Sequence, residues 1–558
     1  MSTNRMSTKT RNVVDGRRLA GALAACAFAC SAGIANAQLA EDQVLVIYDS
    51  RVPDSVAVAE YYAGSRKVPG GVGNLAGVRP GVNVVNMAAI GAGFNVPGNV
   101  SESDFRTKIR DPLRTYLSSN NLTFRIRALV TTKGLPHRLF DTDVPQNADF
   151  PGTGANQFIP ELTANDCTSA SVEAELALLW QDLTQGELGN GNDSRADGLI
   201  VNPYWRQTRG INTFSNVNIT ANKPLSPAGT GPTWSTSGAA GAATRLNPAD
   251  MYMVTRLDGT TVANVRAMID RSQNILINTN TAALLFDEDG ADFDNVAAGS
   301  AAFPALLGGD DYEDCVTALT NDRRFSFAFP SPPANVRYDN NAGAANFFVG
   351  PQLAFAAGQG ILISNPVLYL ATYGSNHSGV PSLAAGGSSG TVYAASYNYA
   401  PGAIFNTIES FNGRDFGGLG QLGFAPQQQA TDFLASGGTF ALCNVWEPLA
   451  DSVPDNLPMV QQFVLGNVSF AEAAWLSIPA LSWMQMPVGD PLARMMRSNE
   501  NLSGDARVSA DDLYAWEALP GANASKDVNR SGTADTTDRN VVAGSVRAAE
   551  RVNVMSRR

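Results

Sequence analysis

The chain has 558 residues and a formal net charge of −12 at pH 7. That length supports one large or two moderate domains with substantial cores, beside a smaller appendage. The acidic balance, with no Lys/Arg stripe to meet phosphates, excludes a DNA- or RNA-binding surface.

At the N-terminus, Lys9, Arg11, Arg17 and Arg18 precede an apolar run from Leu19 to Ile34, and Ala35-Asn36-Ala37 supplies a small-residue cleavage site. This predicts a signal peptide over residues 1–37, a mature chain from Gln38, and a secreted or cell-envelope location. No later segment has the roughly twenty consecutive apolar residues that span a bilayer. Of the five cysteines, Cys26 and Cys30 leave with the peptide. Cys167, Cys315 and Cys443 remain, too few for a disulfide scaffold and too far apart for a zinc motif, so buried thiols or one bridge are expected.

Residues 38–495 alternate strand and helix patterns. Gln43 to Tyr48 is a short apolar run followed by a helical pattern from Asp54 to Ser65. Arg125 to Thr131 leads into Lys133-Gly134, and Met251 to Thr255 runs through Asp258-Gly259 into Thr261 to Arg271, where Val262, Val265 and Ile269 share a face. Val367 to Thr372, Ala403 to Thr407 and Thr439 to Val445 read as further strands, with helices over Met459 to Leu465 and Phe470 to Leu476. Such alternation predicts an α/β fold, a largely parallel sheet flanked by helices in caspase-like or Rossmann-like layers. Residues 185–250 and 378–402, rich in Gly, Ser and Asn or Ala, read as a surface insertion and a loop. Acidic runs at Asp287-Glu288-Asp289 with Asp292 and Asp294, and at Asp310-Asp311 with Glu313 and Asp314, fit no metal-loop spacing and read as solvated loops.

The last segment carries two loops of twelve. In Asp527 to Asp538, oxygen-bearing Asp527, Asn529, Ser531, Asp535 and Asp538 occupy positions 1, 3, 5, 9 and 12, with Thr533 at position 7 and Gly532 at the turn. Calcium takes six or more oxygen ligands and such a loop can supply them, so calcium is the expected cofactor. A weaker copy has Asn501, Ser503, Asp505, Arg507, Ser509 and Asp512 at positions 1, 3, 5, 7, 9 and 12, with Ala506 in place of glycine. Leu513, Trp516 and Leu519 follow the first loop, and Val541, Val542 and Val546 the second, at helical spacing. This loop-helix repeat over 496–550, with a tail at 551–558, resembles the dockerin type I module, a small all-α, EF-hand-like unit. The resemblance implies a cohesin-like protein partner.

The blocks Val44-Leu45-Val46-Ile47-Tyr48-Asp49-Ser50, Leu129 to Pro136, Ser171 to Leu176, Val254 to Gly259 and Ser482 to Leu492 resemble an uncharacterised secreted bacterial family. The strand order and the block Val488-Gly489-Asp490-Pro491 look distantly like gingipain-type cysteine peptidases. Such enzymes set a histidine and a cysteine at neighbouring strand ends. Here Tyr373-Gly374-Ser375-Asn376-His377 stands at the first place and Ile404 to Ser410, without cysteine, at the second. His377 with Cys443 or with Ser410 is therefore the candidate catalytic pair, and His137 the other histidine. Asp49, Glu175, Asp258, Glu447 and Asp490 are candidate acids at strand or helix ends, where open α/β sheets put their sites. Arg256 and Lys133 either clamp an anionic group or pair with those acids, and pairing is the commoner fate. The sequence thus predicts an exported protein of unknown biochemical activity, attached through a calcium-binding tail. The alternative is an exported hydrolase, peptidase-like or acting on polysaccharide, displayed by that tail.

Overall fold

Runs of Val, Leu and Ile form buried strands here because branched apolar side chains suit a pleated surface covered on both faces. The computed structural model describes residues 39–558 except 70, 72, 92–97, 141–169, 181–199, 203, 207–250, 290–311, 329–334, 418–428, 447, 449–452, 467, 482, 505–506, 522, 530, 532 and 556–558. The signal peptide, nearly all of the 185–250 insertion, Cys167, Glu447, Asp505 and the acidic residues Asp292, Asp294, Asp310 and Asp311 lie outside the described residues.

Ten strands form one sheet: β1 Val44–Tyr48, β2 Asn83–Asn86, β3 Ala128–Thr132, β4 Met253–Leu257, β5 Ala283–Asp287, β6 Val336–Asp339, β7 Val367–Thr372, β8 Tyr399–Thr407, β9 Phe440–Asn444 and β10 Gln485–Val488. Their order is β6-β5-β7-β8-β9-β10-β4-β3-β1-β2. All neighbours are parallel except β9 and β10, which run antiparallel. One strand pair therefore reverses the sheet. Strands β1 to β4 with β10 point one way and β5 to β9 the other, so the two halves present their carboxyl ends at opposite edges. This is a mixed, mostly parallel α/β fold, and the expected caspase-like or Rossmann-like layering narrows to that coarser description.

Helices cover both faces. They include α1 Pro53–Ala63, α2 Val172–Ala177, α3 Val262–Arg271 and α4 Phe470–Ser477. Local chemistry sets their starts: the Ser171 and Thr261 side chains accept the amides of Ala174 and Asn264. Ser469 and Glu472 form a reciprocal capping box on α4. Strand alternation then divides the core. On β9, Ala441 and Cys443 join one apolar cluster while Phe440 and Leu442 join the other.

The C-terminal segment adds α5 Ala510–Ala518 and α6 Thr536–Met555 around a small core of Trp516, Val528, Val542 and Val546. It packs onto the α/β part. The short strand Met495–Arg497 pairs with Ile275–Ile277, and the Asn501 and Asn278 amides reach the Leu276 and Asn501 carbonyls at 2.8 Å each. Residues Leu39–Arg558 form one compact unit. No helix among the described residues is long and apolar enough to cross a membrane.

Candidate functional site

Arg256, next to last on β4, is 1% exposed. A guanidinium so buried needs partners, because its lost hydration must be replaced by fixed acceptors. Glu173 of α2 meets it at 2.9 Å and Asp258 at 2.8 Å, and the Leu135 carbonyl accepts a third bond at 2.6 Å. Burial pulls the Arg256 pKa down, but the Asp258 and Glu173 carboxylates outweigh it and the net direction is up. Burial raises the Glu173 carboxyl against the pull of Arg256 and of Thr131, whose hydroxyl donates at 2.6 Å.

Beside this network the chain leaves β3 through Lys133 and turns at Gly134, whose φ is +86°. A Cβ there would come within 2.6 Å of Val52, so both conformation and space require glycine. The turn carries residues 135–138 back beside the carboxyl ends of β3 and β4. From the other half of the sheet, the segment after β8 brings Arg414, Asp415 and Phe416 to meet them. The Phe416 carbonyl lies 3.5 Å from Lys133 Nζ, and the Arg414 carbonyl 2.8 Å from His137 Nε2.

Between them is a cavity of about 200 Å³ lined by Lys133, His137, Arg138, Arg256, Asp258 and Asp415, among others. Lys133 donates to the Gly259 carbonyl at 2.7 Å and lies 3.3 Å from Asp258. Asp258 is thus shared between Lys133 and Arg256, and it also accepts the Gly259 amide at 2.8 Å. Arg138 lies over the Trp446 ring, 5.6 Å from its centroid. Asp415 accepts the Gly417 amide. Burial holds the His137 imidazole well below the ordinary histidine pKa, and nearby Arg256 and Arg138 push it the same way. The walls therefore carry three basic side chains, Lys133, Arg138 and Arg256, and an imidazole against two carboxylates.

The sequence candidates scatter. Lys133, Arg256 and Asp258 meet in the cavity, where pairing with acids is the fate of both cations. Asp49 pairs with Arg51. Asp490 is a structural acceptor for Tyr62 at 2.6 Å, Arg79 at 2.8 Å and Gln273 at 2.9 Å. Glu175 is buried on α2. His377 follows β7 and its Nδ1 accepts the Gly379 amide at 3.2 Å; Cys443 sits on β9, with β8 between them. At ~4.8 Å per strand, their strands stand about 10 Å apart. Cys443 is fully buried and burial drives its thiol pKa up, away from the thiolate. Ser410 makes no hydrogen bond to His377 among the described residues. Arg138, Asp415 and Phe416 have no expected role from the sequence, and His137 stands there only as the second histidine, in Leu135-Pro136-His137-Arg138 directly after the Lys133-Gly134 turn.

The calcium cofactor is corrected. Among the described residues, no group of three or more His, Cys, Asp or Glu side chains is arranged to hold a metal ion. The loop oxygens are instead turned onto the chain's own amides. Asp512 accepts from Ser503 at 2.8 Å and Ser509 at 2.7 Å; Asp538 accepts from Asn529 and Asp535 at 2.9 Å each. Asp527 and Asn529 both accept the Ser531 amide at 2.8 Å, and Asp535 accepts that of Thr537 at 2.6 Å. Asn501 is spent on the Leu276 carbonyl and the Gly504 amide. Short polar side chains that close turns give the same residue pattern as a metal loop. The metal-binding role of Ser503, Arg507, Ser509, Ser531 and Thr533 goes with it.

No protein-family model, curated protein or solved structure matches the chain. Function is therefore inferred from the geometry of the cavity.

Proposed function

We propose that this chain binds a small anionic ligand in the cavity at the carboxyl ends of β3 and β4. One observation carries the reading: Lys133, Arg138 and Arg256 converge on a single cavity in a chain whose net charge is −12. Its lining holds three cations against two carboxylates, and an excess of one sign in a concave site draws in the opposite sign. Open α/β sheets bind ligands outside the carboxyl ends of their strands, which is where this cavity lies. Its volume, about 200 Å³, is below the ~300 Å³ at which drug-sized pockets begin, which favours a ligand of a few heavy atoms.

Binding is favoured over turnover by how the polar groups are already used. Asp258 and Asp415 accept backbone amides, and Lys133 donates to a carbonyl. The export expected from residues 1–37 would place this binding outside the cytoplasm. The test is calorimetric titration with small carboxylates and with inorganic phosphate, using wild type and Arg138→Ala. Affinity should fall at least about tenfold in the variant and weaken with added salt, as charge-assisted bonds do. Equal affinity in both proteins would remove the reading.

A further inference from the structure

His137 narrows the class of ligand, on the premise that the cavity is an anion site. Its Nε2 lies 2.8 Å from the Arg414 carbonyl oxygen. A carbonyl only accepts, so Nε2 carries the proton, and a neutral imidazole then keeps a bare lone pair on Nδ1. Nδ1 makes no hydrogen bond among the described residues. Nor is it one of the unpartnered polar atoms sealed from solvent, unlike His377 Nε2. His137 is only 6% exposed and it lines the cavity, so the cavity supplies that exposure. The ring is fixed as well: Phe416 packs edge-on at 5.7 Å, and the His137 and Arg138 amides both donate to the Gly98 carbonyl, at 3.1 and 2.8 Å.

We infer that the ligand is a hydroxylated carboxylate, a small hydroxy acid or sugar acid, whose hydroxyl donates to His137 Nδ1 while its carboxylate meets the Lys133–Arg138 wall. A fixed acceptor beside a cationic wall selects for a donor next to an anion. An ammonium donor is disfavoured there, because the three cations of the lining outnumber its two carboxylates, Asp258 and Asp415. A hydroxyl carries no such cost. Protonation of Nδ1 would destroy the acceptor, but the same three cations oppose it, so the preference holds across neutral pH.

Lactate and propionate test this, because they differ by one hydroxyl on the same carbon frame. Calorimetry and ligand-observed NMR on the full chain should give wild type about ten to a hundredfold tighter binding of lactate, the range for satisfying a buried polar atom. The ratio should stay the same from pH 8 to pH 6. His137→Phe keeps a planar ring against Phe416 and should bring the ratio near one while propionate still binds. Should that variant fail to fold, the wild-type ratio alone decides. Equal binding of the two acids by wild type, with Arg138→Ala binding neither, would overturn the hydroxyl preference and leave the anion site standing. Binding of neither acid by wild type would overturn both.

Discussion

The two carboxyl edges of the sheet differ in what they do with charge. At the ends of β3 and β4, ionised groups surround open space: Lys133, Arg138, Asp258 and Asp415 line a cavity. At the ends of β5, β7 and β8, acids are sealed. Asp287 is fully buried, its Oδ2 accepting the Phe348 amide at 2.9 Å, and burial pushes its pKa well up. Glu409 accepts from Tyr393 and from the Ser375 amide at 2.7 Å, and burial raises its pKa to about 8. That second edge is where the peptidase resemblance directs attention. A strand-end location alone does not make a site: one edge leaves a cavity among its charged groups, while the other buries its acids in the core.

The largest effect is expected at the network behind the open edge. Arg256→Met would strand Glu173 without its cation and leave Asp258 with Lys133 alone. Breaking a buried ion pair from one side costs about 3–5 kcal/mol, which urea unfolding would read directly. A loss under ~1 kcal/mol would mean that the network is solvated, and the contrast between edges would weaken.

The sealed edge has a pH signature of its own. Glu409 has a folded pKa of about 8 against an ordinary 4.5, so the folded state holds the proton more tightly. Its stabilising contribution is complete below about pH 4.5, falls as pH rises towards 8 and levels off above that. Thermal unfolding of wild type against Glu409→Gln between pH 5 and pH 9 should show the wild type losing a few kcal/mol more than the variant. Parallel curves would show that Glu409 is not a sealed acid.

A smaller effect is expected in the C-terminal segment. Asp512→Ala or Asp538→Ala each leaves two backbone amides without their acceptor, at about 1–3 kcal/mol. Loss of helical signal from α5 and α6 would report it. Excess chelator, by contrast, should leave the melting curve of the wild-type chain unchanged. A chelator-induced shift would contradict the account of these turns.

The strands most visible in the sequence are those with punctuation at both ends. Val367–Thr372 is a continuous apolar run between Pro366 and Gly374, and its bounds coincide with the expected ones. Asn83–Asn86 has one fully buried residue in four, and Gln485–Val488 contains a proline, so neither reads as sheet by itself. The reversal at β9 and β10 is decided by pairing across the chain, which no local pattern encodes. For the site, Lys133, Arg256 and Asp258 stand out because charges at strand ends are rare in apolar runs. His137 acquires its role from the Arg414 carbonyl, 277 residues away, and so cannot be told from an ordinary loop histidine. The calcium-like loops mislead for a chemical reason: the oxygens that would ligate an ion are the ones that cap turns and helix starts.

The most direct test is titration of lactate into wild type and Arg138→Ala at matched low salt, with thermal unfolding measured alongside. Arg138 stands at the open edge, over the Trp446 ring. The account predicts at least a tenfold loss of affinity in a variant that still unfolds cooperatively; undiminished binding by Arg138→Ala, or none by wild type, would contradict it.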